Sequence, residues 1–293
     1  MTYTKKQHYI SRYILKRFIN KNNKIDAVLI SQMEMKRVST NINDICSERD
    51  FYEDKDSSGK YIQRNHTENK FAKMEDAIAK EIDRLIKLLK DDKVTIKIEE
   101  IIRSGEWENI SIWLMLHLTL VLIRLPSVKK IVYSNESLSN EIKQVFYKNL
   151  LWGKVEAEVL AEKLFNVRNF ESIQDVIRNG ENNGGINVLM NYLVNNYYVE
   201  IYRTPVEKKI YLTDNPVIIN EITDIDYFLP LTPSYALVLK KITSNEITLR
   251  ILPEATTRMV DELNTYLVNN ADNLIIVQDM TDEDYEFILK HRR

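Results

Sequence analysis

The chain has 293 residues, 44% of them apolar and 29% charged, at a formal net charge of −2. That is enough apolar material for a large core, and it excludes a globally basic, histone-like protein. The lone cysteine, Cys46, excludes a disulfide framework and a thiolate metal cluster, and six glycines with six prolines leave little room for long disordered linkers.

Charge is uneven along the chain. Residues 1–40 carry nine Lys or Arg against Asp26 and Glu34, a net of +7, so the remainder carries −9. A basic N-terminal face suits nucleic acid or another phosphate-bearing ligand. Docking on the chain's own acidic remainder is the competing reading. Residues 1–7 run into a polar, basic stretch with no apolar signal region, so a cytoplasmic chain is expected. The longest apolar run, 110–123, is shorter than the roughly 20 residues of a bilayer span. It predicts a buried helix and no membrane partner.

In chain order, residues 7–10 read as extended, and Ser11 is placed to cap a short helix ending near Ile19. Asn22-Asn23 marks a turn between that helix and a strand over 24–31, with a second extended piece at 35–38. Residues 54–60 form a polar loop. Thr67 is read as the cap of a long helix over 67–90, followed by helices over 96–103, 107–125, 128–133, 138–151, 155–165, 173–177 and 186–197, with a loop over 181–185. Beyond them the period changes to two. Strands are predicted over 199–203, 209–212, 217–219, 235–241 and 246–251, then a helix over 255–270, a strand over 274–278 and a helix over 282–290. The expectation is a single α+β domain over 1–293. In it a helical middle packs on a mostly antiparallel sheet formed by N-terminal and C-terminal strands.

Candidate functional residues are polar ones at positions where the pattern calls for apolar ones. Phe71, Ile78, Ile82, Leu85 and Leu89 define the inward stripe of the 67–90 helix, and extending it backward lands on Glu75 and Glu68. Carboxylates turned inward need a cation, a metal or a shared proton. The bland account is pairing with Arg or Lys of the N-terminal segment. His8 stands in a polar context near Arg12 and Lys16 and suits acid–base chemistry, although a lone histidine is more often structural. His117 belongs to the apolar helix and reads as core, while His66 and His291 are set aside as a loop and a tail residue. Thr213-Asp214-Asn215-Pro216 lies between two strands, where Asp and Asn either cap backbone groups or present polar atoms to a cleft. Gly-rich phosphate loops, dinucleotide fingerprints, zinc-protease helices and the Gly-x-Ser-x-Gly elbow are all missing from the sequence.

Several ordered pieces carry a resemblance. They are Gln7 through Phe18, Glu48-Arg49-Asp50-Phe51-Tyr52, Glu68 with Glu75, Arg124 with Pro126, Thr213 through Val217, Phe228 through Pro233, and Asn264 with Ala271. Together the chain resembles a bacterial family known as domain of unknown function 4238. Two positions depart from its pattern, with Ser11 where the family often has Pro and Thr213 where it has Ser. The resemblance implies a fold and a shared site but no named activity.

The pieces and the pattern outliers coincide at His8, Glu68, Glu75 and Asp214, which are the expected catalytic residues. The reading they suggest is a metal-assisted hydrolase acting on a phosphodiester or nucleic acid, for which a toxin or phage-defence setting would suit. In it Glu75 and Asp214 hold a divalent metal (Mg or Mn), His8 is the base, and Arg12, Lys16, Arg17 and Asn215 bind substrate. The alternative is a non-catalytic binding or sensor module whose polar cluster is a structural ion-pair network.

Overall fold

A computed structural model describes residues 3–30, 34–165, 184–243 and 252–292. The N-terminal part holds strand β1 (Lys6–His8), the short helix α1 (Arg12–Leu15) with a tighter turn at Lys16–Phe18, and strands β2 (Ile25–Ile30), β3 (Met35–Thr40) and β4 (Ser47–Arg49). A small hairpin, β5 (Asp54–Lys55) and β6 (Tyr61–Ile62), occupies the region expected to be a plain loop. The helical middle comprises α2 (His66–Leu89), α3 (Val94–Arg103), α4 (Glu106–Ile123), α5 (Pro126–Tyr133), α6 (Asn140–Trp152), α7 (Lys154–Phe165) and α8 (Gly185–Asn196). The late part holds β7 (Tyr197–Arg203), β8 (Leu212–Thr213), β9 (Ile218–Ile222), β10 (Ile225–Thr232), β11 (Tyr235–Lys241), helix α9 (Thr257–Asn270), β12 (Leu274–Ile276) and helix α10 (Asp282–His291). The helix expected over 173–177, most of the loop over 181–185 and the strand over 246–251 lie outside the described residues.

The α+β architecture takes the expected form; among the described residues the main sheets are two antiparallel four-stranded ones in place of one. The first has the order β3-β2-β12-β8 and joins early strands to late ones, with Val28 opposite Ile275 and Ile275 opposite Thr213. The second has the order β7-β11-β10-β9 and is built from late strands alone. Strands β7, β11 and β10 bury both faces, and the period of two divides their side chains between two cores. Leu237, Leu239 and Leu229 face the helices with Phe71, Ile78 and Leu118, while Ala236, Val238 and Phe228 face α9, β12 and α10 through Val260, Leu267, Ile275 and Ile288.

Strand β10 adds to the expected elements; its run Tyr-Phe-Leu-Pro-Leu contains a proline, which locally argues against a strand. Pairing with β9 ends at Phe228, so Pro230 lies beyond that ladder, where a missing N–H is tolerated. Thr67 does not cap α2. It lies within the first turn, where its hydroxyl accepts a hydrogen bond from Lys148 Nζ (2.7 Å), and Asn65 occupies the cap position at φ 62°. His66, expected in a loop, opens that helix.

Helix α4 is apolar all round, as a central helix is. At 18 residues it is long and apolar enough to cross a membrane by length and composition, but 56% of it is buried inside the fold. His117 within it is 1% exposed and bonded to the Tyr13 hydroxyl at 2.5 Å, a core histidine as expected.

Candidate functional site

The inward stripe of α2 is as the spacing predicts, with Phe71, Ile78, Ile82, Leu85 and Leu89 all buried. Glu75 continues that stripe and meets a cation. The cation is Arg124, at the end of α4, and not a residue of the basic N-terminal segment. Arg124 is 2% exposed, and every nitrogen of its guanidinium is engaged. Nη1 donates to Glu75 Oε1 and to Ser11 Oγ (2.9 Å), Nε to the Tyr52 hydroxyl (2.7 Å), and Nη2 to the carbonyl of His8. The acceptors are themselves linked, since Ser11 Oγ donates to Glu75 Oε1 (2.6 Å) and the Tyr52 hydroxyl donates to the His8 carbonyl (3.2 Å). The Phe71 ring lies 4.4 Å from the guanidinium carbon. Burial works against the charge on Arg124, and Tyr52 and Glu75 outweigh it, so the guanidinium stays charged.

The network continues through Gln7, which is fully buried. Its Oε1 accepts from the Tyr52 amide (2.7 Å), its Nε2 donates to Glu53, and both Glu53 oxygens accept from the Asn65 amide (3.1 Å each). Four of the ordered pieces singled out in the sequence therefore interlock here, from 7–18, 48–52, α2 and the end of α4. A parallel pair lies beside them, with buried Lys148 bridging Asp54 (2.6 Å) and Thr67.

Glu68 differs from Glu75. Its Oε2 is buried without a hydrogen-bond partner. Burial pushes its carboxyl up to about 7, against the pull of Arg124 and with reinforcement from Glu75 and Glu53. His8 is 8% exposed, with Nε2 3.3 Å from the Ile42 carbonyl, and burial holds its pKa below the ordinary histidine value.

Asp214 has different partners. Its two oxygens accept from the backbone amides of Asp272 (2.9 Å) and Asn273 (2.7 Å), fixing the turn between α9 and β12. Asn215 Nδ2 donates to the Asn270 carbonyl (3.3 Å) nearby. Burial raises the Asp214 carboxyl, against those amides. His8, Glu68 and Glu75 thus share one neighbourhood around Arg124, while Asp214 is tied to the α9–β12 turn. Among the described residues no group of three or more His, Cys, Asp or Glu is arranged to hold a metal ion. Glu75 Oε1 and both Asp214 oxygens already have partners of their own, on different elements.

The proposed substrate-binding side chains divide. Arg12 and Lys16 are exposed. Arg17 is half-buried and engaged, with Nη2 on Asp83 (2.6 Å) and Nη1 on the Tyr13 carbonyl (2.7 Å). Lys6 and Arg37 likewise pair with Asp44 and Asp282, so part of the basic segment is neutralised by the chain's own acids.

Arg124, Tyr52 and Gln7 were not among the expected functional side chains. The signal for Arg124 was available, because an arginine ending a helix apolar on all sides has nowhere dry to go without an anion. Beside the network opens a polar cleft of about 810 Å³, between the 49–61 segment and helices α5 and α6. Glu53 belongs to both the network and the cleft wall.

Residues 6–281 match the family described as Protein of unknown function (DUF4238). The chain belongs to that family. No curated protein and no solved structure matches it. Within the DUF4238 match lie the whole Arg124 network, the polar cleft and the Asp214 turn.

Proposed function

We propose that this DUF4238 protein is a non-catalytic binding module whose polar cluster is a structural ion-pair network, with ligand contact left to the polar cleft beside it. The observation that carries this reading is the saturated guanidinium of Arg124. Its donors meet Glu75, Ser11, Tyr52 and the His8 carbonyl, which ties the N-terminal segment to α2 and α4 and leaves Glu75 already neutralised. Glu75 Oε1 accepts from both Arg124 and Ser11, so the charge of this carboxylate is spent on the scaffold. The single buried cysteine, Cys46, suits a cytoplasmic setting. The test is thermal denaturation with and without about 5 mM Mg²⁺ or Mn²⁺, a concentration ample for ordinary enzyme sites. The expected midpoint is unchanged by either ion. A saturable stabilisation that disappears in Glu75→Gln would overturn the reading.

Glu68 favours a second reading, a hydrolase acting on a phosphodiester or nucleic acid. A half-buried carboxyl held near neutrality is suited to exchanging a proton. Exposed Arg12 and Lys16 would attract the phosphate backbone. Turnover of a single-stranded oligonucleotide by the unmodified protein, lost in Glu68→Gln, would replace the first reading with this one.

A further inference from the structure

The polar cleft has a definite electrostatic make-up. Its lining includes the cations Arg49, Lys55 and Lys129 and the carboxylates Asp50, Glu53, Asp56 and Glu141. Most of these are already engaged. Asp50 accepts from the Tyr61 hydroxyl (2.5 Å), Glu53 from Gln7 and Asn65, and Asp56 from Ser58 and Lys60 of its own turn. Lys129 donates to the Phe51 carbonyl and packs over the Phe51 ring, and Lys55 sits 4.6 Å from the Tyr61 ring centre. Two charges on different walls stand apart from this pattern. Arg49, on β4, has a side chain 75% exposed, and its carboxylate contact is a loose 3.5 Å to Asp50, which two other groups also share. Glu141, in the first turn of α6, is half-buried and makes no ion pair or hydrogen bond among the described residues. Tyr61 and Tyr133 add aromatic surface to the lining. Tyr147, 4% exposed, packs edge-on against Tyr133 and lies beside Lys129, and its hydroxyl is buried with no hydrogen-bond partner.

We infer that this cleft binds a small zwitterion of the amino-acid class, a short peptide with free termini, whose carboxylate meets Arg49 and whose ammonium meets Glu141. The inference rests on the binding-module reading and names its ligand. A mixed lining in which seven charges nearly cancel disfavours a phosphate dianion and offers little to an apolar molecule. A ligand carrying one charge of each sign satisfies both spare groups. A guanidinium forms two parallel bonds to a carboxylate, which gives the ligand a direction in the cleft. The volume of about 810 Å³ accommodates a few residues, with an aromatic side chain against Tyr61 or Tyr133.

The experiment is isothermal titration calorimetry of the full chain with Ala-Tyr-Ala, its N-acetylated form and its C-terminal amide. The free tripeptide is expected to bind in the micromolar to low millimolar range, and each blocked form at least tenfold more weakly. Arg49→Gln is expected to equalise the free peptide and the amide, and Glu141→Gln the free peptide and the acetylated form. Both side chains lie on the cleft wall outside the Arg124 network, and a circular-dichroism spectrum matching the unmodified protein confirms that each variant is folded. No heat for any peptide at 10 mM overturns the inference. Equal binding of free and blocked peptides overturns the zwitterion while leaving a binding module in place. A metal response lost in Glu75→Gln overturns the parent reading instead.

Discussion

Arg124→Met removes the centre of the network while keeping a long side chain in contact with Phe71. Four acceptors lose a donor, namely Glu75, Ser11, Tyr52 and the His8 carbonyl. Ser11 still donates to Glu75, and Tyr52 to the His8 carbonyl, so these groups are weakened without being orphaned. Glu75 is the exception, a carboxylate whose side chain is 20% exposed and whose cation is gone. Breaking a buried pair costs roughly 3–5 kcal/mol, and the partial exposure of Glu75 places the expected loss near the middle, about 4 kcal/mol. Replacing both partners removes the stranded charge, so Glu75→Leu combined with Arg124→Met is expected to regain about half of that loss. Urea unfolding of the four proteins at pH 7, followed by circular dichroism, gives the cycle. Glu75→Gln alone keeps an acceptor for Arg124 and is expected to cost about 2 kcal/mol. A loss below about 1 kcal/mol for Arg124→Met, or a double variant worse than the sum of the single ones, would refute the idea that this network holds the fold together.

Glu68 has a folded pKa raised to about 7, so its contribution is present below the ordinary carboxylate value and is lost as pH rises through 7. Glu68→Gln is therefore expected to gain on the unmodified protein between pH 5 and pH 8, by at most about 3 kcal/mol, in paired urea titrations; a constant difference across that range would refute the assignment. His117, held down to about 3 by burial and then by Arg17, acts in the opposite sense, since its contribution is present above pH 6.5 and fades as pH falls toward 3. His117→Leu should flatten the acid side of the stability curve, and an unchanged slope would exclude it. Asp214→Ala should cost about 2 kcal/mol by stranding the amides of Asp272 and Asn273, with hydrogen exchange accelerated at those two positions; unchanged exchange there would mean the carboxylate does not fix the turn. If residues 1–40 meet nucleic acid, Arg12→Ala with Lys16→Ala should abolish retention of a DNA duplex at about 50 mM salt, and an unmodified protein that is not retained at all excludes that partner.

By itself the sequence determined the elements with a strong period and the placement of two carboxylates on a buried face. The stripe through Phe71, Ile78, Ile82, Leu85 and Leu89 turns Glu75 and Glu68 inward whatever surrounds the helix, because the 3.6-residue repeat is a local property. The same locality made β11 legible and left β10 hidden: both strands are buried on both faces, but only β10 carries a proline, which reads locally as a break in a strand. The ordered motifs also carried the family membership, which spans residues 6–281. What Glu75 meets was decided by tertiary structure alone. Its partner lies 49 residues away at the end of another helix, and no local pattern states which of the chain's cations will arrive there. Tertiary structure likewise gave Asp214 partners of its own, the backbone amides of the α9–β12 turn. Sequence pattern orients a side chain relative to its own helix or strand; long-range packing chooses its neighbours, and a carboxylate's chemistry belongs to its neighbours.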